Sequence, residues 1–506
     1  MEDGKKDESP ASAAQVLLNR LDDYLSGREI EAYVVGGYVR DRLLSRLPAD
    51  IDIAVKANAR EIASGVAEDF RGTFVLLDEK NDIARVVLND GNSADVIDFS
   101  SFTGSIKADL LRRDFTIDAL AVPLKAVREG FGLSDVIDPT GGRKDIENSI
   151  IRAVEERVFL LDAVRLLRAV RLAGEFGFTI EPGTEELIRE YGHLIFDVPG
   201  ERIREELLRL TALPHAGQMF RRLDRLGLLT GIFPELEDSR GVEQPGEHYW
   251  DVLEHSLAAV EALECILGEG DWVHTSGEVL DHVPLSDVIR QHLAAVISGG
   301  STRKSLLKIA ALLHDIGKPS TKAFDETGRM RFLGHSREGA GLVAGMLERL
   351  RFSSKEIKVI ETAVNHHMRP MQLSQEGMPT NRAIYRYFRD TGETGLDILF
   401  LNLADHLAAR GPELDIDGWK EHNTLVEYVI NKRFEKEDII NPPGIINGYD
   451  IMKSLGLEPG PKIGELLEAV REAQVSGEIQ DREEALSFVK RVIAAGELPA
   501  RENDIN

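Results

Sequence analysis

Short runs rich in β-branched and apolar residues open the chain, at 33–35, 51–55, 73–77, 84–88 and 95–99. Amphipathic stretches separate them, and this alternation predicts an α/β head from Glu31 to about Asp138. From about Ile151 the β-rich runs largely stop. Apolar residues then recur at helical spacing, as in 159–176 and 202–210, with punctuation at Gly177, Pro182, Pro199, Gly200, Pro214 and Pro234. A break at 239–246 precedes a second helical region that runs to about Glu435 through a connector near 268–300, and Asn441-Pro442-Pro443-Gly444 marks the last boundary. The pattern therefore predicts an α+β protein: a tail and leading helix (1–30), a head (31–150), a helical neck and body (151–238), a second helical domain (239–435) and a small helical module (436–506). No internal repeat is visible.

A length of 506 residues agrees with about three to four domains of roughly 100–200 residues each. Hydrophobic residues make up 42% and charged residues 29%, and no apolar run reaches the ~18–20 residues of a membrane span, so a soluble protein is expected. The first residues are charged and small, without the apolar core of a signal peptide, and read as a disordered tail. A single cysteine, Cys265, excludes an internal disulfide and fits a cytoplasmic setting; its Leu/Ile/Ala surroundings place it in the core. The net charge of −26 argues against holding nucleic acid by bulk electrostatics, so an RNA site must be a local basic patch. The arginine-rich stretch from Arg152 to Arg225 is the candidate, against the simpler reading of solvated helix faces.

Val34-Val35-Gly36-Gly37-Tyr38-Val39-Arg40-Asp41 ends a strand in two glycines and enters a helix, and Asp50-Ile51-Asp52-Ile53 follows on a second strand. Paired glycines let backbone N–H groups approach a triphosphate, and a helix N-terminus adds a favourable dipole. Alternation on a strand sends Asp50 and Asp52 to one side. Two such carboxylates can bridge magnesium ions roughly 4 Å apart, the clamp that in-line phosphoryl displacement uses.

These residues resemble the polymerase-β-like nucleotidyltransferases, specifically the class II (bacterial-type) tRNA nucleotidyltransferase and poly(A) polymerase family. Arg112-Arg113-Asp114-Phe115-Thr116-Ile117-Asp118-Ala119 is similar to the family element that holds ribose and phosphates. Asp138-Pro139 with Gly142 and Asp145, and then Glu201–Leu207, resemble later elements, so the likeness runs from about residue 31 to 235. The resemblance implies Asp98 as a third carboxylate on the metal side of the catalytic pair, and nucleotide contacts from Gly36, Gly37, Arg40, Arg112, Arg113, Asp114, Asp162, Arg165, Arg168 and Arg171. It also implies Mg2+, ATP and CTP, and tRNA as acceptor, with CCA addition, addition of the terminal A alone, and poly(A) synthesis all open.

Asp162 and Arg165 stand three apart, which on a continuous helix is one face. A carboxylate accepts from an exocyclic amine and a guanidinium donates to a ring nitrogen, so the pair fits adenine and cytosine and rejects guanine and uracil. The alternative is a surface ion pair. Three departures from the family pattern stand out: Asp118 in place of Asn, Leu161 in place of Glu, and Thr103 in place of Arg. Asp118 is the weightiest, since it sets an acceptor-only carboxylate where an amide could donate to a ribose hydroxyl.

Downstream, His255, His314-Asp315, His335, His366-His367 and Asp405 follow one another in the order of HD-domain phosphohydrolases, and Ala311–Lys318 resembles their core signature. The resemblance implies a metal site from these seven residues, with Asp251 as an added candidate and Lys318 as a phosphate-positioning group. Imidazole and carboxylate ligands suit nickel, manganese, iron, cobalt or zinc, and one ion or two. A phosphohydrolase in which this chemistry is primary and the head merely binds RNA is the rival reading. In the last module, 447–452 and 457–464 read as two helix starts around a Gly/Pro turn, suited to RNA backbone or to packing.

Overall fold

The structure is a computed structural model that describes residues 10–48, 50–89, 94–246, 248–274, 277–373, 377–435 and 442–495. Most of the expected tail, and Asn441 of the last boundary, lie outside the described residues. The chain divides into two units, Met1–Val198 and Pro199–Asn506. Residues 151–238, expected as a single neck, are thus shared between the two.

In the first unit, helix α1 (Pro10–Ser26) buries Leu17, Leu18, Leu21 and Leu25, one apolar stripe at helical spacing. A six-stranded sheet follows in the order β3-β4-β5-β2-β1-β6. All five expected runs are strands: β1 (Ala32–Val35), β2 (Ile51–Val55), β3 (Thr73–Asp78), β4 (Ile83–Asn89) and β5 (Ala94–Ser101). The sixth, β6 (Ala121–Pro123), is too short to carry a period and is defined by its pairing with β1, Val34 opposite Val122. β2 and β5 run parallel and the other pairs antiparallel. Val34, Ile53, Ile97 and Phe99 are fully buried on these strands.

Helix α2 (Gly37–Leu43) leaves β1 through Gly36, and α3 (Ala59–Phe70) starts on Asn58, whose side chain accepts from the Glu61 N–H at 3.1 Å. The stretch 159–176, expected as one helix, is two: α4 (Val158–Leu161) and α5 (Arg165–Phe176). Asp162 is extended (φ −157°, ψ 101°) and its carboxylate accepts from the Val164 N–H at 3.4 Å, a local alternative to helix that Asp side chains offer.

The second unit is mainly helical: α6 (Gly200–Ala212), α7 (Val252–Ile266), α8 (Arg303–Leu313), α9 (His335–Arg349), α10 (Ser354–His366) and α11 (Thr394–Arg410) build its core. α7 packs along α11 and α8, and α8 also meets α10 and α11. Such central helices are apolar almost all round, as α11 shows with Leu396, Ile398, Leu399, Phe400, Leu401 and Leu403 buried. Two small hairpins interrupt the expected all-helical run, one pairing Val296–Ser298 with Ser301–Thr302, the other Ala323–Phe324 with Met330–Arg331. Cys265 is buried, as expected. Lys308 is buried too, and it is satisfied by Glu264 at 2.9 Å, Glu269 at 3.0 Å and the Leu213 carbonyl at 2.7 Å.

Both expected helix starts in the final module are real: Gly448–Leu455 begins on Asn447 and Pro461–Val475 on Gly460. With Arg482–Ala495 these helices close a core around Ile451, Leu466, Val470 and Val489. The module is tied to the helix Asn381–Thr391 by Arg386–Glu472 at 2.6 Å and Arg389–Glu468 at 3.1 Å. Among the described residues no helix is long and apolar enough to cross a membrane.

Candidate active and metal sites

The parallel register places Asp52 directly beside Asp98. Asp50 sits one residue ahead of β2 and is exposed. Burial, and after it the neighbouring Asp98 and Asp50, push the Asp52 carboxyl up to about 6 against the pull of Arg113. A carboxylate so crowded by others attracts a cation, and Asp52 with Asp50 and Asp98 beside it is the candidate place for a divalent ion. Asp98 has a partner of its own, since Arg85 on β4 grips both its oxygens at 2.7 and 2.8 Å.

Gly36 (φ 66°) makes the turn above this site. A Cβ there would stand 2.9 Å from Nη1 of Arg113 and 3.6 Å from Oδ2 of Asp52, so only glycine lets the turn, the guanidinium and the acid approach so closely. Gly37 opens α2 behind it. Arg112 is exposed and pairs with Asp109 at 2.8 Å, while Arg113 lies 3.6 Å from the same acid. Thr103 is exposed just past β5, and Leu161 is exposed on α4.

The other arginines expected at the nucleotide are engaged with acids of the protein. Arg40 is buried, donates to Asp118 at 2.5 Å and to Asp41 at 2.8 Å, and rests on the Phe176 ring at 4.4 Å. Arg168 reaches Asp114 at 2.9 Å and Asp118 at 3.3 Å, and Arg171 pairs with Glu175 at 2.5 Å. Burial opposes ionisation of Asp114, yet Arg168 and Arg165 hold its carboxyl below the usual range. Asp118 is buried and paired with two guanidinium groups, those of Arg40 and Arg168. Asp138 and Asp145 act on the scaffold: Asp138 accepts from the Gly141 and Gly142 N–H groups, and Asp145 accepts from Thr116 at 2.7 Å. Arg152 and Arg221, within the arginine-rich stretch, are likewise paired, with Asp145 and Glu181, and with Glu254 and Glu261.

Asp162 and Arg165 do come together, at 3.9 Å, but across the α4–α5 break and not on one helix face. The expected geometry is corrected in that respect: Arg165 starts α5, and the extended Asp162 ends α4.

In the second unit, six of the seven expected ligands converge. Nε2 of His255 lies 3.2 Å from Nε2 of His314, 3.4 Å from Asp315 and 3.1 Å from Asp405. Nε2 of His335 lies 3.2 Å from Nε2 of His367, and these two are 3.5 and 3.7 Å from the other oxygen of Asp315. Two ligand groups result, His255/His314/Asp315 and Asp315/His335/His367, sharing the one carboxylate. Nδ1 of His314, His335 and His367 faces the carbonyl of Ala311, Phe332 and Val364 at 2.9, 2.8 and 2.7 Å, an arrangement that leaves Nε2 for a metal. Burial opposes protonation of His314, yet Asp315 and Asp405 push it up to about 10, so the nest is shaped for positive charge. His367 is driven down to about 3, by burial and then by His314 and His335. Lys318 pairs with Asp315 at 2.5 Å and donates to Gln244 at 2.6 Å.

Chain architecture explains the convergence. His255 projects from α7, His314 and Asp315 sit at the end of α8, His335 opens α9, His367 caps α10 and Asp405 lies on α11. A Cβ on Gly317 would fall 2.2 Å from the His335 carbonyl and 2.6 Å from the Gly339 nitrogen, so this glycine lets α9 close on the His-Asp turn.

Two expected ligands are elsewhere. The His366 ring accepts from Asn365 at 3.3 Å and belongs to neither group. Asp251 caps α7, accepting from the Glu254 N–H at 2.8 Å. His248 was not anticipated: its ring meets His255 edge-on at 5.3 Å, and burial, then Lys318 and His255, push it down to about 4. Nothing in the spacing marks it. Arg85 was missed as well, although an arginine amid the apolar β4 was a usable signal.

A strand-borne acid set under a glycine turn, on a chain that also carries a nest of histidines around a shared aspartate, defines a nucleotidyltransferase with an appended HD-type metal centre. The poly(A) polymerase head domain family matches residues 32–152, the probable RNA and SrmB-binding site of polymerase A residues 177–239, the HD domain residues 252–410, and a tRNA nucleotidyltransferase domain 2 residues 342–489. The A-adding tRNA nucleotidyltransferase of Deinococcus radiodurans is 35% identical over 91% of this chain and 95% of its own. The CC-adding tRNA nucleotidyltransferase of Thermus thermophilus is 32% identical over 91% and 93%. The chain belongs to the bacterial tRNA nucleotidyltransferase family. Its fold matches a CCA-adding enzyme solved in complex with ATP (TM-score 0.61, 23% identity, 97% of both chains) and the Thermotoga maritima CCA-adding enzyme complexed with tRNA (TM-score 0.57, 21%, 97% of both).

Proposed function

We propose that the protein extends the 3′ end of tRNA, adding CCA or its terminal A from CTP and ATP in the cytoplasm, and that its HD centre hydrolyses phosphoesters. The register that sets Asp52 beside Asp98, with Asp50 at the strand mouth, carries the first half. Asp50, Asp52 and Asp98 would hold magnesium, whose charge would favour ionisation of the attacking hydroxyl and departure of pyrophosphate. The tRNA 3′-oxygen bonds to the α-phosphorus as the bond to pyrophosphate breaks and the hydroxyl proton is released. The backbone N–H of Gly37, in the first turn of α2, would donate to phosphate oxygens, and Arg113 beside the turn balances their charge. Asp162 and Arg165 read the amine and ring nitrogen of adenine or cytosine. Terminal-A addition is the favoured partition, supported by the A-adding relative.

In the HD centre the two ligand groups that share Asp315 would hold one or two divalent transition ions, drawn from nickel, manganese, iron, cobalt and zinc. They would polarise a phosphoester and activate water, with 2′,3′-cyclic phosphate ends or small phosphorylated nucleotides as substrates. Attachment to a domain that needs a free 3′-hydroxyl supports an RNA-end substrate.

The decisive test incubates the protein with tRNAs lacking the whole CCA end, its last two nucleotides or only the terminal A, each nucleotide being supplied alone and then CTP with ATP. Terminal-A addition predicts extension of the tRNA that ends in CC, by ATP alone. Extension only to CC, or long A tails on any RNA, would replace it, and no extension of any tRNA would end the polymerase reading.

A further inference from the structure

We infer that Asp118 is a positioning residue that locks the triphosphate turn to the base-reading helix, an inference that rests on the nucleotidyl-transfer reading. Asp118 is 2% exposed and ends the short turn Thr116–Asp118. Its backbone oxygen lies 3.7 Å from where a Cβ on Gly36 would stand, and the Gly36 N–H donates to the Leu120 carbonyl at 3.0 Å, so this segment forms the floor of the glycine turn.

Its two side-chain oxygens go to different elements. Oδ1 takes Nη1 of Arg40, from α2, at 2.5 Å, and Oδ2 takes Nη2 of Arg168, from α5, at 3.3 Å. Arg40 also lies on the ring of Phe176, the last residue of α5, at 4.4 Å, which closes a loop of contacts between α2 and α5. Arg168 stands three residues, just under one helical turn, from Arg165, so what fixes Arg168 also constrains the arginine of the base-reading pair.

Two guanidinium groups meeting at one side chain require two acceptor oxygens and a negative charge, which aspartate has and asparagine lacks. An asparagine would accept from one arginine and turn an NH2 donor toward the other, leaving a cation facing a donor. The departure from the family's Asn at this position is thus a built joint: the carboxylate sets the distance between the phosphate-binding turn and the base-reading pair.

The test compares wild type, Asp118→Asn, Arg40→Gln and the double variant on a tRNA ending in CC. Misalignment of bound base and triphosphate should lower kcat by about tenfold in Asp118→Asn while KM for ATP stays within about threefold, with weaker discrimination against GTP. The double variant should lose no more than the worse single variant, since both break one joint. Backbone amide exchange supplies a readout without turnover: Gly37–Leu43 and Arg165–Phe176 should exchange faster together in Asp118→Asn. Unchanged kcat and unchanged exchange in both segments would overturn the inference even if the melting temperature fell, and so would additive losses in the double variant. Were wild type itself to transfer no nucleotide, the polymerase reading would fall, and exchange alone would still decide whether Asp118 joins the two helices.

Discussion

The two metal-binding regions are built on opposite plans. In the head, two acids come from adjacent strands, a third, Asp50, is exposed just ahead of β2, and the surrounding charge is mostly arginine already tied to protein carboxylates. In the HD centre, His255, His314 and His367 are fully buried and five helices or helix ends contribute ligands. Magnesium dehydrates reluctantly and is commonly held by one or two carboxylates together with substrate phosphates, so a sparse, open site suits an ion that arrives with its triphosphate. Imidazoles with their Nδ1 edges fixed on carbonyls suit a resident transition ion. One chain thus carries an open carboxylate site and a buried, histidine-rich one.

The largest effect should come from Asp52→Ala, which removes the acid shared by β2 and the glycine turn. Loss of several kcal/mol of charge stabilisation predicts a fall in nucleotide incorporation of about a thousandfold or more. Phosphoester hydrolysis by the same preparation should stay within about twofold of wild type, because the two centres lie in separate units. A parallel collapse of both activities would break the comparison.

Asp315→Ala strikes the carboxylate common to both ligand groups. Elemental analysis should show bound transition metal reduced by about tenfold or more, with hydrolysis lost and transfer retained. His366→Ala is the matched control and should keep its metal, since that ring is turned out of the nest. Equal loss of metal in the two variants would return His366 to the ligand set.

Asp162→Ala should lower the preference for ATP over GTP by about tenfold, the worth of one hydrogen bond to a charged group, with a smaller change in triphosphate affinity. An unchanged preference would make the Asp162–Arg165 contact a surface ion pair.

The smallest effect is a pH dependence in metal-free protein. The Asp52 carboxyl is raised to about 6 from 3.8, so its ionised form is penalised in the folded state, fully above the folded value and not at all below the unfolded one. Asp52→Asn should therefore raise the melting temperature at pH 7.5, by about 1–3 °C, and by much less at pH 4, which lies just above the unfolded value. Thermal melts in chelator at the two pH values check this, and a gain at pH 4 equal to that at pH 7.5 would show that the acid is not strained by its neighbours.

Sequence alone determined the parts whose signal is local. Five strands, the glycine turn, the Asp50/Asp52 pair, the His-Asp signature and both helix starts in the last module were legible because each rests on alternation, on a residue type suited to a turn, or on a motif within a few positions. Tertiary structure decided the rest. β6 exists only through its pairing with β1, and the role of Arg85 only through the register of β4 on β5. Which of His366 and His367 faces the nest depends on the rotation of α10, and His248 enters it through a contact with His255, residues that no spacing rule links. Asp118 is the sharpest case. Its sequence marks only a departure, and its meaning comes from Arg40 and Arg168, 78 and 50 positions away, because charge acts through distance in space and not along the chain.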